Sequence, residues 1–356
     1  MRILHYYPRA TVGDGGPSIA ARGWAEGMRA AGADVAVAFD AAVGGDGTGV
    51  VPVAHRGRGR ARVPAGLREI LPSFDLLVLH SGWVAHNVVA ARAARRTGTP
   101  YVVTPHGAYA PDVVAGARRS TKRAWWRLLE RPMLGGAAAV HVFFEEEVGH
   151  LREAGYEGEV VVAPNGVTVP EGESWDGGSG GYVLWLGRFD VRHKGLDLLV
   201  AAVAAIGPAA RPSVRLHGPD WRGGRSEVAR LVEAEGLAGS VSLRDPLYGA
   251  EKWEALRRAR CFVYPSRWEV FGLAPAEAAA VGVPVIGTDT SPFVRHLADN
   301  AAALAVAPSA PALAAALRTD DAALAPLGAR SASFVKEHYS WAAVGRRFLT
   351  GVQRLA

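Results

Sequence analysis

Short apolar runs alternate with amphipathic stretches along the whole chain. In the first half, the runs at 2–7, 33–39, 75–80, 100–104, 137–142 and 159–163 have the length and β-branched content of strands. Between them, 17–31, 83–96, 120–134 and 144–154 carry their apolar residues at helical spacing. Residues 170–181, PEGESWDGGSGG, break the pattern: glycine and acid dominate and no apolar period survives, as in a linker. The alternation then restarts, with strands near 182–187, 213–217, 240–243, 261–264, 283–287 and 302–305. Helices fit 194–206, 224–236, 249–259, 275–281, 308–318 and 320–336, and a last one, about 340–355, follows Ser340 as N-cap. Strands alternating with helices make parallel sheets covered on both faces. The chain therefore reads as two doubly wound α/β units, 1–169 and 182–338, joined by the linker 170–181. The final stretch 339–356 is expected to return to the first unit. Ligands of such sheets bind beyond the carboxyl ends of the strands, so a cleft between the two units is the expected site.

Composition narrows this further. With 356 residues, 49% hydrophobic and a net charge of +6, the chain has ample material for two cores and is not a disordered segment. A single cysteine, Cys261 in the run Cys261-Phe262-Val263-Tyr264, excludes a disulfide scaffold and reads as a small buried hydrophobe. Basic charge is spread over both halves, which argues against a nucleic-acid partner. No stretch approaches the roughly 18 apolar residues of a membrane span. The start, Arg2-Ile3-Leu4-His5-Tyr6-Tyr7, has no signal-peptide core, so a cytoplasmic protein is expected. Only Lys122, Lys194, Lys252 and Lys336 are lysines, against 36 arginines. The excess reads as coding bias, and it makes any lysine at a chemically suggestive place conspicuous.

Gly13-Asp14-Gly15-Gly16-Pro17-Ser18 follows the first strand and precedes a helix. As a dinucleotide fingerprint it lacks the third glycine and sits five residues beyond the strand, although Asp40 could stand as the ribose acid. Two other readings remain. One is an ordinary turn from strand into helix; the other is a loop whose N–H groups, with the Pro17-started helix, meet an anion or a closely approaching sugar.

The second half holds a denser constellation. Gly187-Arg188 ends a strand and Lys194-Gly195 opens the next helix, so two cations share a loop at a strand's carboxyl end, where they can grip a diphosphate or stand solvated. Downstream, Glu269 and Glu277 are eight residues apart within Glu269-Val270-Phe271-Gly272-Leu273-Ala274-Pro275-Ala276-Glu277. Glu277 is expected in the first turn of a helix that Pro275 starts. Carboxylates accept from vicinal hydroxyls, so Glu269 suits a hexose and Glu277 a ribose. Taken singly, each also reads as a surface or helix-end acid.

Together these pieces resemble the retaining, GT-B-fold glycosyltransferases of family 4. The resemblance spans essentially the whole chain: the E-x7-E signature at Glu269 and Glu277, Gly187-Arg188 with Lys194-Gly195, the glycine loop Gly15-Gly16, and Pro164-Asn165-Gly166-Val167. It implies that Arg188 and Lys194 bind the donor diphosphate, Glu277 the ribose and Glu269 the sugar hydroxyls. Phe271, Gly272 and Leu273 would line the donor through their backbones. It also implies that His106, in Thr104-Pro105-His106-Gly107, reaches the donor sugar; by its residues alone His106 reads equally as a structural loop histidine. The implied reaction moves a hexose from a UDP- or GDP-sugar to an acceptor hydroxyl with retention, in glycan or natural-product biosynthesis. No D-x-D pair or His/Cys spacing suggests a metal, so neither metal nor cofactor is expected. A sugar-nucleotide epimerase or a non-catalytic binding protein is the alternative. The acceptor is a small molecule or lipid-linked glycan. Residues 118–131, RRSTKRAWWRLLER, allow weak peripheral contact with the inner membrane face, or pack Trp125, Leu128 and Leu129 on the first sheet. Arg56 to Arg62 reads as a solvated basic loop.

Overall fold

The structure is a computed structural model, and it describes residues 1–10, 16–44, 49–110, 120–168 and 170–354. The chain divides into two compact units: Met1–Gly166 with Tyr339–Ala356, and Val167–His338.

The first unit is built on a parallel sheet of β1 (Arg2–Tyr6), β2 (Asp34–Asp40), β3 (Val50–Val53), β4 (Leu76–His80), β5 (Tyr101–Thr104), β6 (Ala139–Val142) and β7 (Val160–Val162). Their order is β3-β2-β1-β4-β5-β6-β7. Central strands are buried on both faces, which is why Ile3, Leu4, Leu77, Leu79, Val102 and Val103 form uninterrupted apolar runs. Strand β3 has no counterpart in the sequence reading. It is an edge strand of four residues whose Pro52 removes a ladder donor, and this weakens the signal. Helix α1 (Gly16–Ala30) follows β1, and α2 (Ala85–Thr97) follows β4. The last helix, α8 (Trp341–Gln353), lies against α1. A Cβ on Gly27 would come within 2.2 Å of the Trp341 carbonyl, so glycine permits this approach.

Three expectations for this unit are corrected. The basic stretch 56–62 is not simply solvated: it closes a small hairpin, and the Arg62 guanidinium is held by Asp40 through Nε and, at 2.8 Å, through Nη2. Asp40 also accepts from the Ala42 N–H, so its carboxylate is committed to protein partners and the ribose reading of Asp40 lapses. The helix expected at 120–134 carries a π turn at Trp126–Glu130, which leaves Leu128 71% exposed instead of packed on the sheet.

The second unit has the parallel order β10-β9-β8-β11-β12-β13, formed by β8 (Tyr182–Leu186), β9 (Ser213–His217), β10 (Val241–Arg244), β11 (Cys261–Tyr264), β12 (Val285–Thr288) and β13 (Leu304–Val306). Cys261 is fully buried there, and burial pushes its thiol up to about 12. Residues 170–181 belong to this unit and are tied to it. The Trp175 N–H donates to the Val281 carbonyl at 2.8 Å, its indole donates to Ala259 at 2.7 Å, and Asp176 meets Arg257 at 3.6 Å. The helix expected at 194–206 is split by Gly195 into α4 (Val191–Lys194) and α5 (Leu196–Ala204). Gly195 has φ +63°, and a Cβ there would lie 1.9 Å from the Pro265 carbonyl oxygen. Helix α6 (Leu273–Val281) begins two residues before Pro275, with Gly272 as N-cap, so Glu277 sits in its second turn and is not a first-turn dipole partner.

Candidate active site

In the second unit the carboxyl edge of the sheet gathers the predicted residues. The loop after β8 supplies Arg188 and Lys194, and the segment after β11 supplies Glu269 and the start of α6. Lys194 donates through Nζ to Glu269 Oε2, and the Tyr264 hydroxyl donates to the same oxygen at 2.5 Å. Both charged side chains are largely buried, 14% and 15% exposed. Burial pushes the Glu269 carboxyl up, but the Lys194 ammonium, the Tyr264 hydroxyl and His193 outweigh it, and the net shift is downward. Among the described residues Glu269 Oε1 accepts only from the Val270 N–H, at 3.2 Å, so the anion keeps lone pairs on that oxygen for hydroxyls.

Arg188 stacks over Trp221 at 4.7 Å and lies 3.8 Å from Asp190, a loose pairing that leaves most of its fork free. It is close enough to Tyr264 to act on that phenol, as Glu269 does. Arg188, Lys194, Asp190 and Glu269 all bear on His193, whose imidazole is lowered by burial first and by Lys194 next. That ring stacks on Trp268 at 3.9 Å, 9° from parallel. The structure thus brings Arg188, Lys194 and Glu269 around one spot. Gly272 opens that side: its φ is +82°, and a Cβ would lie 2.7 Å from the Tyr264 hydroxyl. The chain through Phe271, Gly272 and Leu273 consequently leads into the amino end of α6, where backbone N–H groups lack helical acceptors.

One turn along, Glu277 is held by Lys252 at 2.7 Å. Burial raises the Glu277 carboxyl, and Lys252 offsets this only in part. Lys252 and Tyr264 carry no role in the sequence reading. The scarcity of lysine could have marked Lys252, whereas Tyr264, within an apolar strand run, gives no signal.

In the first unit His106 follows β5 in the left-handed region, φ 51°, a conformation uncommon for a side chain of its size. Its Nε2 lies 2.9 Å from His80 Nδ1, and its ring meets Phe143 edge-on at 5.4 Å. Gly16 opens α1, while Gly15 lies outside the described residues. The same unit holds a cavity of about 960 Å³ bordered by Tyr7, Arg62, Trp83, His86, Lys122 and Trp125. Its aromatic wall is fixed from behind by the fully buried Glu130, which accepts from the Trp83 N–H at 2.7 Å, the Tyr109 hydroxyl at 2.6 Å and the Trp125 indole at 2.8 Å. His86 Nε2 has no partner among the described residues, and Lys122 lies over Trp83 at 5.6 Å. Among the described residues no group of three or more His, Cys, Asp or Glu is placed to hold a metal ion, and no helix is long and apolar enough to cross a membrane.

Residues 15–166 match the family described as "Glycosyl transferase 4-like domain", and residues 180–319 match "Glycosyl transferases group 1". The chain is 24% identical, over 70% of its length, to the GDP-mannose:cellobiosyl-diphosphopolyprenol alpha-mannosyltransferase of Xanthomonas oryzae pv. oryzae; the match spans 64% of that relative's own length. The structure is similar to that of sucrose-phosphate synthase from Thermosynechococcus elongatus, with TM-score 0.74, 22% identity and coverage of 99% of this chain and 98% of the other. It is also similar to Anabaena HepE in complex with UDP, with TM-score 0.75, 16% identity and coverage of 99% and 100%.

Proposed function

Since the chain belongs to the family 4, GT-B-fold glycosyltransferases, we propose that it transfers a hexose from a nucleoside-diphosphate donor to an acceptor hydroxyl, with retention and without a metal. The observation that carries this reading is the cluster of Arg188, Lys194, Glu269 and Tyr264 beside the amino end of α6.

In the transfer, the bond from the anomeric carbon to the diphosphate oxygen breaks, and its electron pair leaves with the phosphate. The acceptor oxygen forms the new bond on the same face of the sugar, and its proton passes to the departing phosphate. The chemical task is to hold the charge that develops on the leaving group. Arg188 offers a planar fork and Lys194 two N–H donors beyond the one given to Glu269, while the N–H groups near Gly272 and Leu273 add a dipole. These groups meet the leaving-group charge without calling on a metal. Glu269 accepts from hydroxyls of the donor sugar, and Glu277, fixed by Lys252, from the ribose. His106 contributes a hydrogen bond to a substrate hydroxyl, and Gly16 lets an anion or sugar approach the start of α1.

The donor is a UDP- or GDP-sugar: the Xanthomonas relative's name specifies GDP-mannose, and HepE was solved with UDP. That relative's acceptor is a diphosphopolyprenol-linked sugar, which favours a lipid-linked glycan acceptor here. The aromatic wall of the 960 Å³ cavity, with His86 and Lys122 beside it, suits a sugar ring stacked on an indole and an anionic group nearby. The reading carries a cytoplasmic protein touching the membrane only peripherally, with the exposed Leu128 flanked by Arg123 and Arg127. The test is incubation with a panel of UDP- and GDP-hexoses. Nucleoside diphosphate should be released, with the anomeric configuration retained in the product by NMR. Donor binding without release would make the chain a binding protein, and inversion would refute the retaining course.

A further inference from the structure

Three imidazoles run in file from the interior of the first unit to its surface. His5 lies on β1, His80 ends the neighbouring β4, and His106 lies two residues beyond β5, which pairs with β4. His5 Nδ1 is 2.8 Å from His80 Nε2, and His80 Nδ1 is 2.9 Å from His106 Nε2. The rings stack at 5.1 and 5.2 Å. His5 and His80 are fully buried, while His106 is only partly so. At the inner end, His5 Nε2 lies 3.4 Å from the sulfur of Met28, a buried residue of α1.

All three rings are neutral at ordinary pH. Burial, joined by His141 and Arg29, lowers His5 to about 3; burial and His141 lower His106 to about 3; and burial, joined by His5, His106 and His141, lowers His80 well below its usual value. A neutral imidazole has one N–H and one acceptor nitrogen, so the file admits only two complete patterns. In one, each ring carries its proton on Nδ1: His5 donates to His80, His80 donates to His106, and the lone pair of His5 Nε2 faces the thioether. In the other, each carries it on Nε2: His106 donates to His80, His80 donates to His5, and His5 donates to the sulfur. A thioether has no hydrogen to give and can only accept. The first pattern sets two lone pairs face to face in a dry interior; the second satisfies every contact.

We propose that the Met28 sulfur fixes the direction of the whole file, so that His106 keeps its proton on Nε2 and presents Nδ1 as an obligate hydrogen-bond acceptor. His5 and His80 are then positioning residues. They hold His106 in the form that accepts from a hydroxyl and cannot donate to a carbonyl or phosphate oxygen. His106 Nδ1 has no partner among the described residues and belongs to the only ring of the three with surface exposure, so it is the end left for a substrate. Its weak basicity fits acceptance of a hydrogen bond with no transfer of the proton to the ring. The tautomer rests on these contacts and on the neutrality of the buried rings; its use in transfer rests on the glycosyltransferase reading above.

The experiment is long-range ¹H–¹⁵N correlation of the imidazoles in the full ¹⁵N-labelled chain at neutral pH, with donor-sugar kinetics alongside. Expected are protonated Nε2 and bare Nδ1 on His5, His80 and His106. Met28→Leu, nearly equal in volume, removes the acceptor. It should bring a detectable Nδ1–H population to His106 and lower kcat about tenfold, the equivalent of one net hydrogen bond, with KM for the donor within about twofold. A protonated Nδ1 on His106 in the unaltered chain overturns the proposal without any variant, as does a Met28→Leu spectrum with no change. The expected spectra with unchanged kcat in Met28→Leu overturn the positioning role. The expected spectra in a chain that transfers no sugar overturn the glycosyltransferase reading and leave the tautomer standing.

Discussion

Replacing Lys194 by methionine keeps the length and apolar stem of the side chain and deletes its charge. Glu269 is left behind, 15% exposed, with the Tyr264 hydroxyl as its remaining strong donor. Breaking a fully buried ion pair by removing one partner costs about 3–5 kcal/mol. Partial exposure and the surviving hydroxyl bring that to about 2–3 kcal/mol here. For a unit of this size, about 2–4 °C per kcal/mol gives a fall in melting midpoint of about 4–12 °C by calorimetry. The deficit depends on pH in a definite sense. In the unaltered chain the Glu269 carboxyl is held below its ordinary value, so it stabilises the fold above the unfolded pKa, and that contribution is lost as pH falls. Without Lys194, burial governs and the carboxyl moves up, so the penalty is full at alkaline pH, shrinks as pH falls through the raised value and is gone by about pH 4. Turnover suffers separately, because a donor to the leaving diphosphate is worth about 3 kcal/mol, or about 10²-fold in kcat. The second change, Glu269→Gln, separates the two effects. Made in the Lys194→Met background it should return most of the stability, since no buried charge remains unpaired. Lys194→Met should still cost about 10²-fold in nucleoside diphosphate release when measured against Glu269→Gln alone. Full turnover in Lys194→Met, or no cost on the Glu269→Gln background, would refute the leaving-group role.

Gly195→Ala puts a methyl 1.9 Å from the Pro265 carbonyl at φ +63°; it should destabilise the second unit by more than the about 1–2 kcal/mol of left-handed strain alone, seen as a lowered calorimetric midpoint. Lys252→Met removes the partner of Glu277 and drives that carboxyl, already raised, further up. Donor KM should rise about tenfold at neutral pH with kcat little changed, and Lys252→Arg, whose fork the carboxylate largely consumes, should recover only a small part of it in steady-state assays. EDTA should leave the rate of a dialysed preparation unchanged, and activity lost to EDTA but restored by a divalent cation would sink the metal-independent reading.

The parallel sheets are legible in the sequence because strands buried on both faces must be apolar throughout, as Leu76–His80 and Tyr101–Thr104 are. What escapes is what tertiary contact decides. Strand Val50–Val53 exists only because Asp34–Asp40 offers it an edge. The stretch 170–181 looks like free linker until Trp175 finds its carbonyl partners on the second unit. Helix α6 starts at Leu273 and not at Pro275 because Gly272 supplies the turn that no other residue could make beside Tyr264.

The same division runs through the site. The eight-residue spacing of Glu269 and Glu277 is local and can be read directly, but their partners are remote: Lys194 lies 75 residues before Glu269, and Lys252 lies 25 before Glu277. A chain with 36 arginines places two of its four lysines on these two carboxylates. Geometry supplies a reason. A guanidinium meets a carboxylate fork to fork and is largely consumed by it, whereas an ammonium gives one N–H to the carboxylate and keeps two for a ligand. Each lysine can therefore fix its glutamate and still face a polyanion, which arginine at the same place would do poorly. On this argument the coding bias toward arginine yields at the positions where a shared cation is needed, and the proposed donor site takes in Lys252 beside Lys194.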